Sequence, residues 1–501
     1  MHPFHPLEIP TSPLVERLPT WEEHRRRQWL WVTVVIALVV WGLTDVRHRA
    51  RVEPDDPAAH KTDLTVYTEA GAAFFDGRDP YEATNPRGWH YLYPPLFALL
   101  VAPLSAFDTQ TQALVWYFVS VAACYGLWRE CRRVWQHLAH ADDAPPAWLG
   151  AIAAAAVALP ALNCLQRGQV GVVLVYLLLL GLRLVLTSAT MRGVALGGVV
   201  LALPVTIKLT PLLPVGFLAL LLLATAWWRQ RSYATALADG LARGPLHRAL
   251  ATIVGQVAGL ALFVFLLPGS LLGHRENLTH LATWVSRVAA NDDVGVDNHF
   301  NARSKRNQSL TNAVRRLGNR LAFATGTGPD DRLVDDLANQ RMAMPMETPL
   351  VDHALRAAVV ALLVLLVFAG WGIALRGDVA TVAALFGLAC TASLAVSPIS
   401  WGHHYVMWLP GLVFVPHWLW QNGRRALAIG LAETACVLVI AHYLVLDHSG
   451  RVGLLGLGLT IWYVVGAISV CRSIRADLAT DAPDNKTVLP GEAAPSQRRA
   501  A

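Results

Sequence analysis

Lysine is almost absent from this chain, with four residues in 501, at positions 61, 208, 305 and 486. Charge of any sign is scarce, at 15% against roughly 25% in soluble domains. Set beside 54% hydrophobic residues, that deficit excludes an ordinary soluble globule. It predicts one integral membrane bundle in place of the several soluble domains that the length would otherwise suggest. Cysteine patterning is missing too. The six cysteines, at 124, 131, 164, 390, 436 and 471, lie in or beside apolar segments and form no C-x-x-C pair. Neither a zinc site nor a disulfide framework is expected, nor any other resident metal or cofactor. The N-terminus lacks a cleavable signal pattern, because the first apolar run, 29–46, has no small-residue cleavage site after it and reads as a retained signal anchor. The formal charge of +6 comes mainly from arginine. In a membrane chain that means topology and lipid-headgroup contact, not nucleic acid.

What the sequence does hold is apolar runs. A spanning helix takes about 20 apolar residues, and candidates fall at 29–46, 110–128, 147–162, 169–187, 193–207, 210–228, 249–267, 353–375, 379–397, 403–420, 425–446 and 452–471. A shorter run at 93–106 carries Pro94, Pro95 and Pro103. Arginine arbitrates its topology, since Lys and Arg accumulate in short cytoplasmic loops. With Arg25–Arg27 inside and 93–106 dipping in and returning, the arginines near 130, 183–192, 229–248, 376, 424 and 472 all fall inside. Only Arg167, Lys208 and Arg451 are then left in short outer loops, whereas a full span at 93–106 reverses the bias. The expected architecture is an all-α polytopic membrane protein. It has about 12 transmembrane helices plus a re-entrant or interfacial element: a cytoplasmic tail 1–28, a membrane domain 29–472 with outer loops 47–92 and 268–352, and a disordered tail 473–501. Within the first loop, the helical spacing of Leu64, Tyr67, Gly71 and Phe74 predicts an interfacial helix that stops at Gly77. In the second, 311–320 reads as a basic helix. No internal repeat is evident.

This sidedness, drawn from arginine, also places Asp63, the turn Asn163 to Gln169 (with Gln166), Lys208, Asn307 with Gln308, and Ser397 to His404 (with His403) on one side. Each has a bland reading. Asp63 can serve the helix dipole, Asn and Gln in turns satisfy backbone groups, paired His can be interfacial, and Lys208 can snorkel. Lys208 is nonetheless a cation within an apolar run, expensive at membrane depth unless it meets water or a polar partner. Together the groups suit sugar transfer from a lipid phosphate. A carboxylate takes the acceptor proton, Lys and His hold the departing phosphate, Asn and Gln bind hydroxyls, and Trp89, Trp401 or Tyr405 stack on a sugar. Asp45 and Asp79 are rival acids. A transporter or lipid flippase, or a non-catalytic envelope assembly subunit, remains as an alternative. A transporter usually places its site near the midplane between repeats.

At these residues the chain resembles glycosyltransferase family 87, the polyprenol-phosphate-mannose-dependent alpha-mannosyltransferase-like proteins with the GT-C fold. The stretches that carry the resemblance are Asp63 to Tyr67, Gly77 to Tyr81, Tyr93 to Phe97, Asn163 to Gln169, Lys208 with Pro211, Asn307 to Leu310 and Ser397 to Tyr405. The resemblance implies a membrane hexosyltransferase, with mannose the expected sugar, a polyprenyl-phosphate sugar as donor, and a lipid or glycan acceptor. Transfer would invert the anomeric centre at the extracytoplasmic face of the cell membrane. Asp63 takes the catalytic-base position, and Lys208, His403 and His404 lie near the donor phosphate. Asn163, Gln166, Gln169, Asn307, Gln308 and Tyr81 are then the expected substrate contacts. The chain departs from the family's motif at Gly402, where a larger polar or acidic residue is usual before the paired His.

Overall fold

The computed structural model describes residues 21–138, 145–232, 243–289, 306–326, 349–374, 378–445 and 452–480. Among them, regular structure is helical throughout, and the only β-type pairings are two isolated bridges, Thr84–His90 and Asn307–Trp401. The helices are α1 Trp21–Trp41, α2 Leu64–Phe75, α3 Pro95–Val101, α4 Thr109–Leu138, α5 Ala147–Arg167, α6 Gly171–Thr187, α7 Met191–Ile207, α8 Leu212–Ser232 and α9 Arg243–Leu260. They continue as α10 Leu267–Leu272, α11 His274–Thr283, α12 Leu310–Ala324, α13 Pro349–Ala374, α14 Val379–Val396, α15 Leu409–Gln421, α16 Arg425–Leu444 and α17 Leu454–Thr480.

Every one of the long apolar runs coincides with a helix. Six helices are long and apolar enough to cross a membrane; 95–106, 171–187, 191–207 and 212–228 are apolar but shorter. The chain is therefore a helical membrane protein. The segment α3 with its 3₁₀ continuation, Ala102–Ala106, rises only ~20 Å, short of the ~30 Å hydrocarbon core. The predicted helix at 311–320 forms as α12, and α2 ends as expected at a residue with φ of 69°, Gly77. The last helix runs on to Thr480; the remainder of the tail, and residues 1–20, lie outside the described residues.

Helix α14 is the axis of the bundle, with every residue from Thr381 to Ala395 buried. The periphery is the reverse: Val360, Val364, Val367, Phe368 and Trp371 of α13 are exposed, as apolar side chains facing acyl chains would be. Between α7 and α9 the backbones touch. A Cβ on Gly198 would stand 2.3 Å from the Thr252 carbonyl, and one on Gly255 2.0 Å from that of Ala195. Small residues supply such close packing where lipid removes the hydrophobic drive to associate.

The bundle has two polar ends. One gathers the end of α4, the start of α5, the end of α6 and the start of α9. The other gathers the π turn Gly42–Val46 after α1, the start of α2, the ends of α5, α7 and α16, and the 3₁₀ turn Gly402–Trp408 before α15. Nearly all the residues singled out from the sequence lie at this second end.

Candidate active site

Asp63 occupies the N-cap position of α2, but its side chain makes no cap bond. It is turned instead toward the end of α5 and is only 3% exposed. Its Oδ1 accepts from Arg87 Nη1 at 3.1 Å and Arg167 Nη2 at 3.0 Å, and its Oδ2 from Arg167 Nε at 2.8 Å and Gln169 Nε2 at 2.6 Å. A carboxylate offers about four acceptor positions, so all are taken. Helix α5 can bring both Arg167 and Gln169 to one carboxylate because Gly168 between them turns left-handed, φ 71°, where a side chain would be strained and pressed against Thr62 and Leu64. Arg87 makes a single bond to Asp63 and lies 3.8 Å over the Trp89 ring.

The rival acid Asp45 sits on the π turn, half-buried. It accepts from Gln166 at 2.7 Å, from Trp41 at 3.1 Å and from Arg49 at 3.0 Å. Asp79 lies apart from both and accepts from the backbone of Tyr81.

Beside these carboxylates opens a cleft of about 500 Å³. Its walls carry five cationic side chains, Arg49, Lys61, Arg87, Arg167 and Arg306, and no Asp or Glu among the described residues. The acids that neutralise part of this charge, Asp45 and Asp63, stand behind their arginines. His60, His403 and His442 also line the cleft, as do Asn163, Gln166, Trp401 and Tyr443. Two polar groups there, the Asn163 side chain and the Tyr443 hydroxyl, are buried beside each other. Burial, then the charge of Arg87, holds His60 below its ordinary value, against the opposing pull of Asp63.

Lys208 is not in that wall. At the end of α7 its Nζ lies 2.8 Å from His404 Nε2 and 5.4 Å over the Tyr93 ring. His404 in turn meets His403 edge to face, ring centroids 4.5 Å apart. The paired histidines thus separate Lys208 on one side from the cleft on the other.

A sequence model of glycosyltransferase family 87 matches residues 91–398. The chain belongs to glycosyltransferase family 87. It is also 27% identical over 464 residues, 85% of this chain and 88% of the relative, to the polyprenol-phosphate-mannose-dependent alpha-(1-2)-phosphatidylinositol mannoside mannosyltransferase of Mycolicibacterium smegmatis. No solved structure matches. The matched stretch takes in Asn163 to Gln169 and Lys208, begins after Asp63 and ends before His403.

Within this family 87 chain, four of the expected substrate contacts lie away from the cleft wall, the first being Gln169, which is buried and donates to Asp63. Asn307 and Gln308 are fully buried and pin one loop to another. Asn307 Oδ1 accepts from the backbone of Ser309 at 3.1 Å and Ser400 at 2.9 Å, Gln308 N donates to the Ser400 carbonyl, and the Gln308 carbonyl accepts from Tyr405. Tyr81 is buried among Phe74 and Tyr91, its hydroxyl on the Tyr93 carbonyl. Of the aromatic candidates, Trp401 faces the cleft, Trp89 stacks beneath Arg87, and Tyr405 is consumed by the loop pin.

Arg87, Arg306, Lys61, His442 and Tyr443 escaped the sequence reading. The first three sit in polar stretches with no local pattern. Tyr443 had one signal, the bare Gly402. A Cβ at position 402 would stand 2.9 Å from the Tyr443 hydroxyl, so the phenol occupies the space in which the motif usually has a side chain.

Proposed function

We propose that this membrane glycosyltransferase moves a hexose, mannose by its closeness to the mycobacterial relative, from a polyprenyl-phosphate donor to a lipid or glycan acceptor with inversion. One observation carries the reading. A cation held by an imidazole, Lys208 on His404, adjoins through His403 a polar cleft whose wall is backed by the buried carboxylate Asp63. Lys208 Nζ lies against the imidazole, and its ammonium carries three N–H groups from which phosphate oxygens can accept. The polyprenyl phosphate leaves with the electron pair of the C1–O bond while the acceptor oxygen bonds to C1, and Lys208 meets the charge that develops on the phosphate. The acceptor proton passes to Asp63. Because its acceptor positions are full, one donor must first yield. Arg87 makes the longest of the four bonds, 3.1 Å, and only one where Arg167 makes two.

The remainder of the proposal is topological: about 12 spans of GT-C type, both termini cytoplasmic in a multi-pass plasma membrane protein, and the active site outside. A cysteine at Asp79 or Glu276 should react with an impermeant label from the outside, and labelling of either only from the inside would reverse the orientation. The reaction itself is tested with purified protein, labelled polyprenyl-phosphate mannose and a panel of lipid and glycan acceptors. A labelled glycosylated product is expected. A protein that binds donor but glycosylates none of the panel, and instead moves the donor across a vesicle bilayer, would make it a flippase.

A further inference from the structure

Glu433 stands where the transfer reaction has no use for a carboxyl. Helix α16 is one of the six long apolar helices, and Glu433 is the only acid in any of them more than a turn from an end. At 1.5 Å per residue it lies roughly 12 Å along the axis from Arg425 and roughly 16 Å from Leu444, near the middle of a ~30 Å hydrocarbon layer. Ionisable residues at that depth almost always face the bundle interior or a water-filled cavity. Glu433 faces neither, for it is exposed. The buried face of α16 is formed by Ala428, Leu431, Ala432, Ala435, Val439 and His442. At 3.6 residues per turn Glu433 falls on the opposite face, toward lipid.

The rest of that face is shaped for a second helix. Gly430 lies one turn away, and a Cβ there would meet nothing within 4 Å. Gly198 and Gly255, by contrast, let the backbones of α7 and α9 touch. Small residues on a membrane helix serve such close approach, and at Gly430 no described residue makes it. Thr434 is exposed too, and its hydroxyl makes no hydrogen bond among the described residues. The hydroxyls of Thr225, Thr391 and Thr460 are each spent on the carbonyl four residues back. Glu433 likewise has neither a hydrogen bond nor an ion pair among the described residues. One face at mid-depth thus holds an acceptor and a donor, both unused, beside a gap in bulk.

Because donor and acceptor occur together, the face is complementary to itself, and that decides its occupant. On the helical wheel Gly430 lies between Glu433 and Thr434. Two parallel copies of α16 crossing at Gly430 about a two-fold axis along the membrane normal set Glu433 of each copy beside Thr434 of the other. An isologous interface requires such self-complementarity. We propose that this face of α16 is a homodimer interface, in which the Thr434 hydroxyl of each copy donates to the Glu433 carboxyl of the other. Exposed Val437 and Ile440 continue the contact toward the Leu444 end. Side chains that hydrogen-bond across helices, and small residues that admit a close crossing, hold membrane helices together where the hydrophobic effect does not. His442, on the buried face of the same helix, lines the cleft. The dimer contact and the cleft therefore lie on opposite faces of α16, and the proposal stands whether or not the chain transfers sugar.

The test counts subunits of full-length, fluorescently labelled protein in phosphatidylcholine vesicles by stepwise photobleaching, over a range of protein-to-lipid ratios. Dimers should rise saturably with protein density, above the level set by random co-capture in one vesicle. Glu433→Leu and Gly430→Leu should each raise the dissociation constant of the dimer about tenfold or more. Thr434→Val should raise it a few-fold, and Glu433→Gln, which keeps a carbonyl acceptor, should raise it less than Glu433→Leu does. Circular dichroism checks that each variant keeps the parent's helix content. The Gly430→Leu side chain enters open space, so that variant keeps the test decisive should Glu433→Leu not fold. A parent that stays monomeric at every density overturns the dimer. A dimer indifferent to both leucine variants when folded overturns this interface. A chain that is monomeric alone but forms a stoichiometric complex with another membrane protein, lost in Glu433→Leu, overturns the second copy as the occupant.

Discussion

The two ends of the bundle hold similar side chains and use them differently. At the end formed by α4, α6 and α9, buried Glu130 is paired with Arg183 and, at 2.7 Å, with Arg133. Arg248 donates to the carbonyls of Val185 in the last turn of α6 and of Ser188 just after it, and Gln421 donates to that of Leu138. Arg183 and Arg133 match a carboxylate and Arg248 closes a helix end, while Arg129, Arg132 and Arg425 lie over aromatic rings. At the opposite end five cationic side chains line one cleft, and Asp45 and Asp63, outside its wall, pair with three of them, Arg49, Arg87 and Arg167. An arginine count cannot distinguish the two ends. What distinguishes them is whether the cations also line a cavity.

That contrast breaks first at Asp63. Asp63→Asn keeps size and hydrogen bonding but cannot take the acceptor proton, so turnover per folded molecule should fall about 10²-fold or more with donor binding retained. Transfer near the parental rate, with loss in Asp45→Asn or Asp79→Asn instead, moves the base to one of those acids. Lys208→Met comes next, with donor affinity or turnover down about tenfold or more. A folded variant that binds and turns over donor like the parent reduces Lys208 to a snorkelling side chain. The other end should respond in stability alone. Glu130→Gln strands Arg183 and Arg133 beside an amide and should cost about 3 kcal/mol, read as a lower unfolding midpoint in detergent, while the folded fraction transfers normally. A specific loss of transfer there would erase the distinction between the ends.

The smallest effect concerns His60. Its folded-state value lies below the unfolded one near 6.5, for burial first and Arg87 second. The folded state therefore binds the proton less readily. The stability His60 contributes is complete above about pH 6.5 and is lost as pH falls toward the folded value. Unfolding midpoints at pH 7.5 and 5 should differ less in His60→Asn than in the parent; an equal or larger difference assigns the acid sensitivity elsewhere.

The long bundle helices were legible because each is built on a run of apolar residues, a property of neighbours along the chain, whereas the polar α11 escaped. Asp63, Lys208 and the paired histidines were legible because a polar group within or beside such runs is conspicuous. What could not be read is which polar groups face each other. Asn307 and Gln308 have the composition of ligand contacts but close a loop onto Ser400. Arg87 looks like any loop arginine until α5 brings Asp63 within reach. Both outcomes depend on contacts between distant segments, about which local pattern is silent.

Gly402 and Tyr443 illustrate the same dependence across a longer span of time. They stand in separate elements, yet one volume serves both: the phenol lies where a side chain at 402 would be built. During divergence the two positions are then not free to drift independently. A lineage that first gains bulk at 402 pushes the ring off the cleft wall, whereas one that first shrinks residue 443 passes through an emptier but unclashed intermediate. Among relatives sorted by these two residues, a large side chain at both is the combination expected to be rarest.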